Sequence, residues 1–373
     1  MELGFYGLLP SVCCSGIVLL VVKTKPIDNI KLIIMRRILF SALLITMCAL
    51  SKSLDAQTVV SLHHSNGQIT NYYQTDGLQK AYADAVDGDT IILPGATFAP
   101  PSKIEKQLTI FGAGHYNSAE SPTGKSFING NVVLDNGVDY FHIEGVHIIG
   151  AVNVASGATV SNITVKRCYI SAGAAFTSAS DPSTNISFIE SVISSTISLN
   201  NAQNVGIYNS ILGGYINRSD GNTFSNNIFF YASSPVFYSN NNTFTHNIFR
   251  VSSNSSLISS SVGNKFLYNV IEATAPDYGT GAQAENNWTG VNFTSMFINQ
   301  DGTAFSYNDN YHLANPETYV DNNDTKVGIY GGAFPYKADA IPVIPNIKRS
   351  TISPTTNAEG KLEVNIEVEA QDN

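Results

Sequence analysis

Asn222-Thr223-Phe224-Ser225-Asn226-Asn227-Ile228-Phe229, Asn242-Thr243-Phe244-Thr245-His246-Asn247-Ile248-Phe249 and Asn264-Lys265-Phe266-Leu267-Tyr268-Asn269-Val270-Ile271 are three copies of one eight-residue pattern. Each opens on Asn, carries Phe at the third position and Asn at the sixth, and closes on an apolar pair. Polar and apolar residues alternate through the Phe, which is the period of a strand and not of a helix. The pattern recurs upstream in looser form over Asn162–Ile170, Asn185–Ile193 and Asn204–Leu212, and first in Asp139–Ile148. Aligned on Ile143, Val165, Phe188, Ile207, Phe224, Phe244 and Phe266, the copies are spaced by 22, 23, 19, 17, 20 and 22 residues. Helical repeats of this kind run to about 33 residues or more. A unit of this length holding short strands and turns is one coil of a parallel β-helix.

The columns of this alignment carry the argument further. Three positions after the aligned residue stand Val146, Cys168, Ser191, Ser210, Asn227, Asn247 and Asn269. Asparagines in successive coils stack at the strand spacing of about 4.8 Å and hydrogen-bond along the axis, a ladder. The next two columns, His147 to Val270 and Ile148 to Ile271, are mostly apolar and read as stacked core positions. The predicted fold is all-β, a single-stranded right-handed parallel β-helix over residues 57–336. A solenoid needs capped ends. Asp76 and Gly88 bracket a predicted capping helix over Leu78–Val86. At the other end, 337–373 is a Pro-punctuated tail whose last segment, Leu362–Val368, alternates like a half-buried strand after a turn at Asn357–Gly360.

Residues 1–56 have a different character. Met35-Arg36-Arg37, the apolar run Ile38–Leu50 and Ala56-Gln57 have the layout of a secretory signal peptide over 35–56, cleaved after Ala56. Residues 1–34 read as an upstream extension, leaving open whether Met1 or Met35 is the start. The rival for Gly4–Val22 is a membrane anchor, and for Cys48 a lipidation site. Residues 1–56 hold six of the 20 Lys/Arg and three of the 29 Asp/Glu. The remainder therefore has 14 basic and 26 acidic residues, a net charge of −12. That balance argues against nucleic acid, whose partners present basic patches. Of the four cysteines only Cys168 survives processing, so packing must replace disulfides. No CxxC, HExxH, GxGxxG, P-loop or GxSxG pattern occurs, so no cofactor and no metal is evident.

Gly77-Leu78-Gln79-Lys80-Ala81, Gly88-Asp89-Thr90-Ile91-Ile92-Leu93-Pro94-Gly95 and Leu108-Thr109-Ile110-Phe111-Gly112-Ala113-Gly114 resemble the entry coils of pectate-lyase-like β-helix proteins. Val327–Phe334 and the tail resemble the end of secreted β-helix proteins of Gram-negative bacteria. The resemblance covers residues 75–373 and implies architecture and export to the outside or the cell surface. The activity-bearing motifs of the family are missing. No coil supplies the stacked aspartates that hold Ca²⁺ in pectate lyases. The NTD, GHG and RIK elements of polygalacturonases are absent, and Ile347-Lys348-Arg349 lies in the tail.

Functional candidates come from the column two positions after the aligned residue: Arg167, Glu190, Asn209, Asn226, His246 and Tyr268. This column is expected to face outward. Arg167 and Glu190 fall one coil apart, either as a surface ion pair worth about 0–1 kcal/mol or as a pair in a groove. With His246 they are the catalytic candidates. Tyr208, Tyr268, Asn209 and Asn226 are the binding candidates, since an exposed Tyr offers an apolar face and a hydroxyl to a sugar ring. His142 and Glu144 share one strand face, and Tyr231 and Tyr238 lie in turns. Ala172–Thr184 is a turn-bearing insert and the most obvious wall of a cleft. His63 and His64 are expected to be flexible. The chain is expected to associate with or process an extracellular polysaccharide, as a lyase or glycoside hydrolase if it is catalytic, with no membrane span in its mature form. The alternative is a surface structural or adhesive solenoid.

Overall fold

The computed structural model describes residues 58–116, 124–177, 181–251 and 256–370. The signal peptide over 35–56, the extension over 1–34 and Cys48 lie outside the described residues, as does part of the Ala172–Thr184 insert. Among the described residues, no helix is long and apolar enough to cross a membrane.

The chain forms a parallel β-solenoid of about nine turns. Each full coil lays one strand in each of three sheets: A with twelve strands, B with ten and C with seven. One coil runs Ser161–Lys166 in sheet A, Tyr169–Ile170 in sheet B and Ala174–Ala175 in sheet C. The register follows the aligned column. Ile143, Val165, Phe188, Ile207, Phe224, Phe244 and Phe266 pair one after another. Their side chains point inward, and the phenylalanines stack face to face, 4.7 Å apart for Phe224–Phe244 and 4.9 Å for Phe244–Phe266.

The asparagine ladder forms as expected and extends to Asn287. Asn247 Oδ1 accepts from the Asn227 backbone N–H at 2.9 Å, and its Nδ2 donates to the Phe224 carbonyl at 2.9 Å and to Asn269 Oδ1 at 3.1 Å. Ser191 and Ser210 continue the column with hydroxyls that accept the N–H of the coil before. A second buried ladder, Asn222, Asn242 and Asn264, stands where sheet C turns into sheet A. Both corners take up Asn in the same coil, after Ser210 in the first column and Val205 in the second.

The N-terminal end is closed by α1 (Gly77–Asp84), which buries Leu78 and Ala81. Asp76 precedes it but makes no side-chain cap; it pairs instead with Lys80 at 2.8 Å. A hairpin of β1 (Val59–His63) and β2 (Ile69–Tyr73) joins sheet A in antiparallel fashion against Thr90–Ile92. His63 and His64 are therefore held, contrary to the expectation of flexibility. His64 Nδ1 lies 2.8 Å from Asp89 Oδ2. Burial pushes the Asp89 carboxyl up, but the Val86 and Ser65 N–H groups and His64 outweigh it and hold the group below its ordinary value.

Two further readings need correction. The column His147 to Val270 is not inside the solenoid. It lies on the outer face of sheet B, where Val192, Ile211, Ile228, Ile248 and Val270 form a second core with Phe293, Met296, Phe297 and Tyr311. The coil strands end at Trp288–Thr289, and the following chain folds back over that face. Leu362–Glu369 is not half-buried. It pairs with Asn346–Thr356 as a two-stranded sheet, and all of its residues are exposed. The register slips between Ile352 and Thr356, around Pro354, which has no N–H to donate.

Beneath the returning chain, His115 is fully buried among Tyr116, Tyr169 and Tyr307. The neighbouring His147 packs on Tyr169 at 4.4 Å. Burial, with Lys125 nearby, pushes the His147 imidazole down to about 4, and burial holds His115 well below 6.5. With the folded value below the unfolded one, the unfolded chain takes up protons first. This contribution is intact above pH 6.5 and is lost as pH falls toward 4. Urea midpoints measured across that window are expected to drop more steeply in the wild type than in His147→Gln. Equal slopes would contradict this reading.

Candidate functional site

The sequence-derived candidates do come together, but their setting differs from an open groove. Gly145, Arg167, Glu190, Asn209, Asn226, His246, Tyr268 and Asn286 occupy one corner, where sheet A turns into sheet B, and all have positive φ between 48° and 72°. This left-handed turn throws each side chain outward from the coil. The column is not solvent-facing, because the chain's own C-terminal segment runs back along it. Asn322 Nδ2 donates to the Tyr268 hydroxyl at 3.4 Å, and Asp321 lies 3.2 Å from His246 Nε2. Asn226 Nδ2 donates to the Lys326 carbonyl at 2.8 Å and to the Gly328 carbonyl at 3.2 Å. Asn209 Nδ2 donates to the carbonyls of Ile329 at 2.8 Å and Gly331 at 2.6 Å. The Lys337 N–H donates to Glu190 at 3.2 Å. The segment ends over Gly145, where any Cβ would sit 2.4 Å from Pro342 Cγ. The column is a cleat that fastens residues 321–342.

Arg167 and Glu190 are not a surface pair; they are 1 % and 3 % exposed. Arg167 Nε donates to Glu190 Oε2 at 2.9 Å, and Nη1 lies 3.1 Å from Glu144 Oε1 and 2.9 Å from the Ile341 carbonyl. Glu144 also meets His142 Nε2 at 3.1 Å. Lys166 lies 3.9 Å from Glu190, and burial lowers its pKa. The two carboxylates are ion-paired to the guanidinium between them, and the Ile341 carbonyl closes the cluster from above. This arrangement fixes the segment in place. It leaves neither carboxylate open to a substrate in this conformation.

Tyr208 is set apart from the other candidates. It lies on the outer face of sheet A, with its ring laid over Gly206: a Cβ there would fall 2.2 Å from Tyr208 Cε2. Phe334 of the returning segment supports the ring at 5.7 Å. The ring forms one side of an open groove of about 370 Å³, which Tyr140, 66 % exposed, flanks at the other end. Between them runs a ladder of surface amides. Asn204 Nδ2 donates to Asn185 Oδ1, Asn185 Nδ2 to Asn162 Oδ1 at 3.0 Å, and Asn162 Nδ2 to Asp139 Oδ1 at 2.7 Å. The Asn162 amide and the Ser161 hydroxyl hold the Asp139 carboxyl below its ordinary value. Tyr140, Asn162, Asn185 and Asn204 all have positive φ, so an Asn recurring early in successive sheet A strands was the available signal.

Among the described residues no group of three or more His, Cys, Asp and Glu is placed to hold a metal ion. Cys168 is buried inside the solenoid, where desolvation pushes its thiol up to about 12. No family model, curated protein or solved structure matches this chain.

Proposed function

We propose that this protein is exported and binds a polysaccharide strand lengthwise on the outer face of sheet A, as a distant relative of the pectate-lyase-like β-helix proteins. The observation that carries this reading is the groove between Tyr140 and Tyr208, floored by the amide ladder Asn162–Asn185–Asn204. Ladder bonding uses one amide hydrogen and one carbonyl lone-pair site per rung, and the remaining donor and acceptor sites face solvent. Polar groups repeating every 4.8 Å or so suit a polymer with repeating hydroxyls. The tyrosine rings at the two ends supply apolar platforms. The net charge of −12 after residue 56 favours neutral over polyanionic glycans.

A purely structural or adhesive solenoid is the second reading, favoured by the closed Glu144–Arg167–Glu190 cluster. The two separate in a titration of the chain with neutral polysaccharides and polyuronates, scored for retention and for new reducing or unsaturated ends. Retention without cleavage is expected, and Tyr208→Ala is expected to weaken it about tenfold, the loss of one stacking platform. Indifference to the whole panel, or to Tyr208→Ala, would sink the groove reading.

A further inference from the structure

We infer that the corner where sheet C turns into sheet A holds a second glycan site, one that takes a neutral pyranose. Its floor is a pocket of about 400 Å³ spanning three successive coils. Asn201, Arg218 and Tyr238 stand one above the other in this pocket, each in the left-handed conformation, with φ of 63°, 54° and 45°. They occupy the same position of their coils, six residues before the inward-pointing Ile207, Phe224 and Phe244, so the corner presents one side chain per strand spacing. The groups are chemically varied: a guanidinium, a phenol ring, the carboxylate of Asp220 and the amides of Gln203 and Asn240.

Much of this bonding capacity is unspent. Among the described residues, Arg218 meets no carboxylate. Asp220 uses Oδ1 to accept from Asn241 Nδ2 at 2.9 Å, and Asn240 uses Oδ1 to accept from the Val262 N–H at 3.0 Å. The second oxygen of Asp220 and Nδ2 of Asn240 have no partner among the described residues. The Tyr238 ring is 51 % exposed and braced edge-on by Phe237 at 4.3 Å. A planar donor fork and a carboxylate acceptor in one concavity match neighbouring hydroxyls of a sugar ring, each of which both donates and accepts. The exposed ring gives the sugar an apolar face to rest on. Asp220 lines the same pocket as Arg218, and its negative charge disfavours a uronate and favours a neutral ring.

This inference extends the polysaccharide reading above, but the pocket and the groove share no lining residue, so the two can fail separately. The test is calorimetric titration of the full chain with neutral gluco-, manno-, galacto- and xylo-tetrasaccharides and with tetragalacturonate. It is run on wild type, Tyr208→Ala, and Tyr208→Ala combined with either Arg218→Ala or Tyr238→Ala. Residual binding of a neutral tetrasaccharide to Tyr208→Ala is expected, weakened about tenfold by either second substitution. If Tyr208→Ala abolishes all binding, or if the second substitutions change nothing, the corner site is overturned and the groove stands. Residual binding that prefers tetragalacturonate overturns the neutral-sugar assignment. No binding of any probe to wild type overturns both sites. All three substitutions are at partly or fully exposed positions, and unchanged circular dichroism establishes that each variant folds.

Discussion

Arg167→Ala is expected to destabilise the solenoid by about 3–5 kcal/mol, the cost of leaving a buried charge without its partner. Here two carboxylates, Glu144 and Glu190, would be orphaned together, with neither more than 3 % exposed. The Ile341 carbonyl would lose its donor as well, so residues 337–342 should become the first site of proteolysis. The triple variant Glu144→Gln, Arg167→Met, Glu190→Gln removes the charges together and is expected to recover most of the loss. Urea unfolding and limited proteolysis of the three proteins measure both effects. If Arg167→Ala stays within about 1 kcal/mol of wild type, the cluster behaves as an exposed ion pair, and the cleat account fails.

The second large effect is expected at Asn247. Its side chain makes four buried hydrogen bonds: to the Asn227 backbone N–H, the Asn227 amide, the Phe224 carbonyl and the Asn269 amide. Leucine has similar volume but satisfies none of these groups. Asn247→Leu should therefore cost about 4 kcal/mol or more, at roughly 1–3 kcal/mol for each buried group left unpaired. Asn247→Ser should cost about half as much, since a hydroxyl still accepts one backbone N–H, as Ser191 and Ser210 do in the same column. Comparable losses for the two variants would mean that the backbone N–H accepted by a serine hydroxyl contributes little and would contradict this partition.

The register of the solenoid was legible because identical side chains stack only when the coils align. Phe224, Phe244 and Phe266 above Asn227, Asn247 and Asn269 admit one pairing. The inside–outside assignment of the apolar pair was less accessible. Ile228 and Phe229 look equally suited to a core, and both are buried, yet one is inside sheet B and the other assignment belongs to the outer core. Alternation places Phe229 inward and Ile228 outward, but no local signal says that chain from 291 onward returns to cover the outward face. The same gap explains Arg167, Glu190 and His246. Their outward direction was correctly read, while their burial depends on partners 75 to 174 residues away. The surface ladder of Asn162, Asn185 and Asn204 was present as a column in the alignment. Its left-handed backbone, which Asn tolerates better than most residues, is the physical reason that Asn recurs there.

Hydrogen exchange of the full chain, with and without a retained polysaccharide, is the most direct test of the division between an open groove and an occupied corner. The account predicts that peptides covering 162–166, 185–189 and 204–208 gain protection, while residues 321–342 stay equally protected in both states. Faster exchange over 321–342 on binding, with new protection around Arg167 and Glu190, would mean that the ligand displaces the segment and uses the corner as its site, contradicting the account.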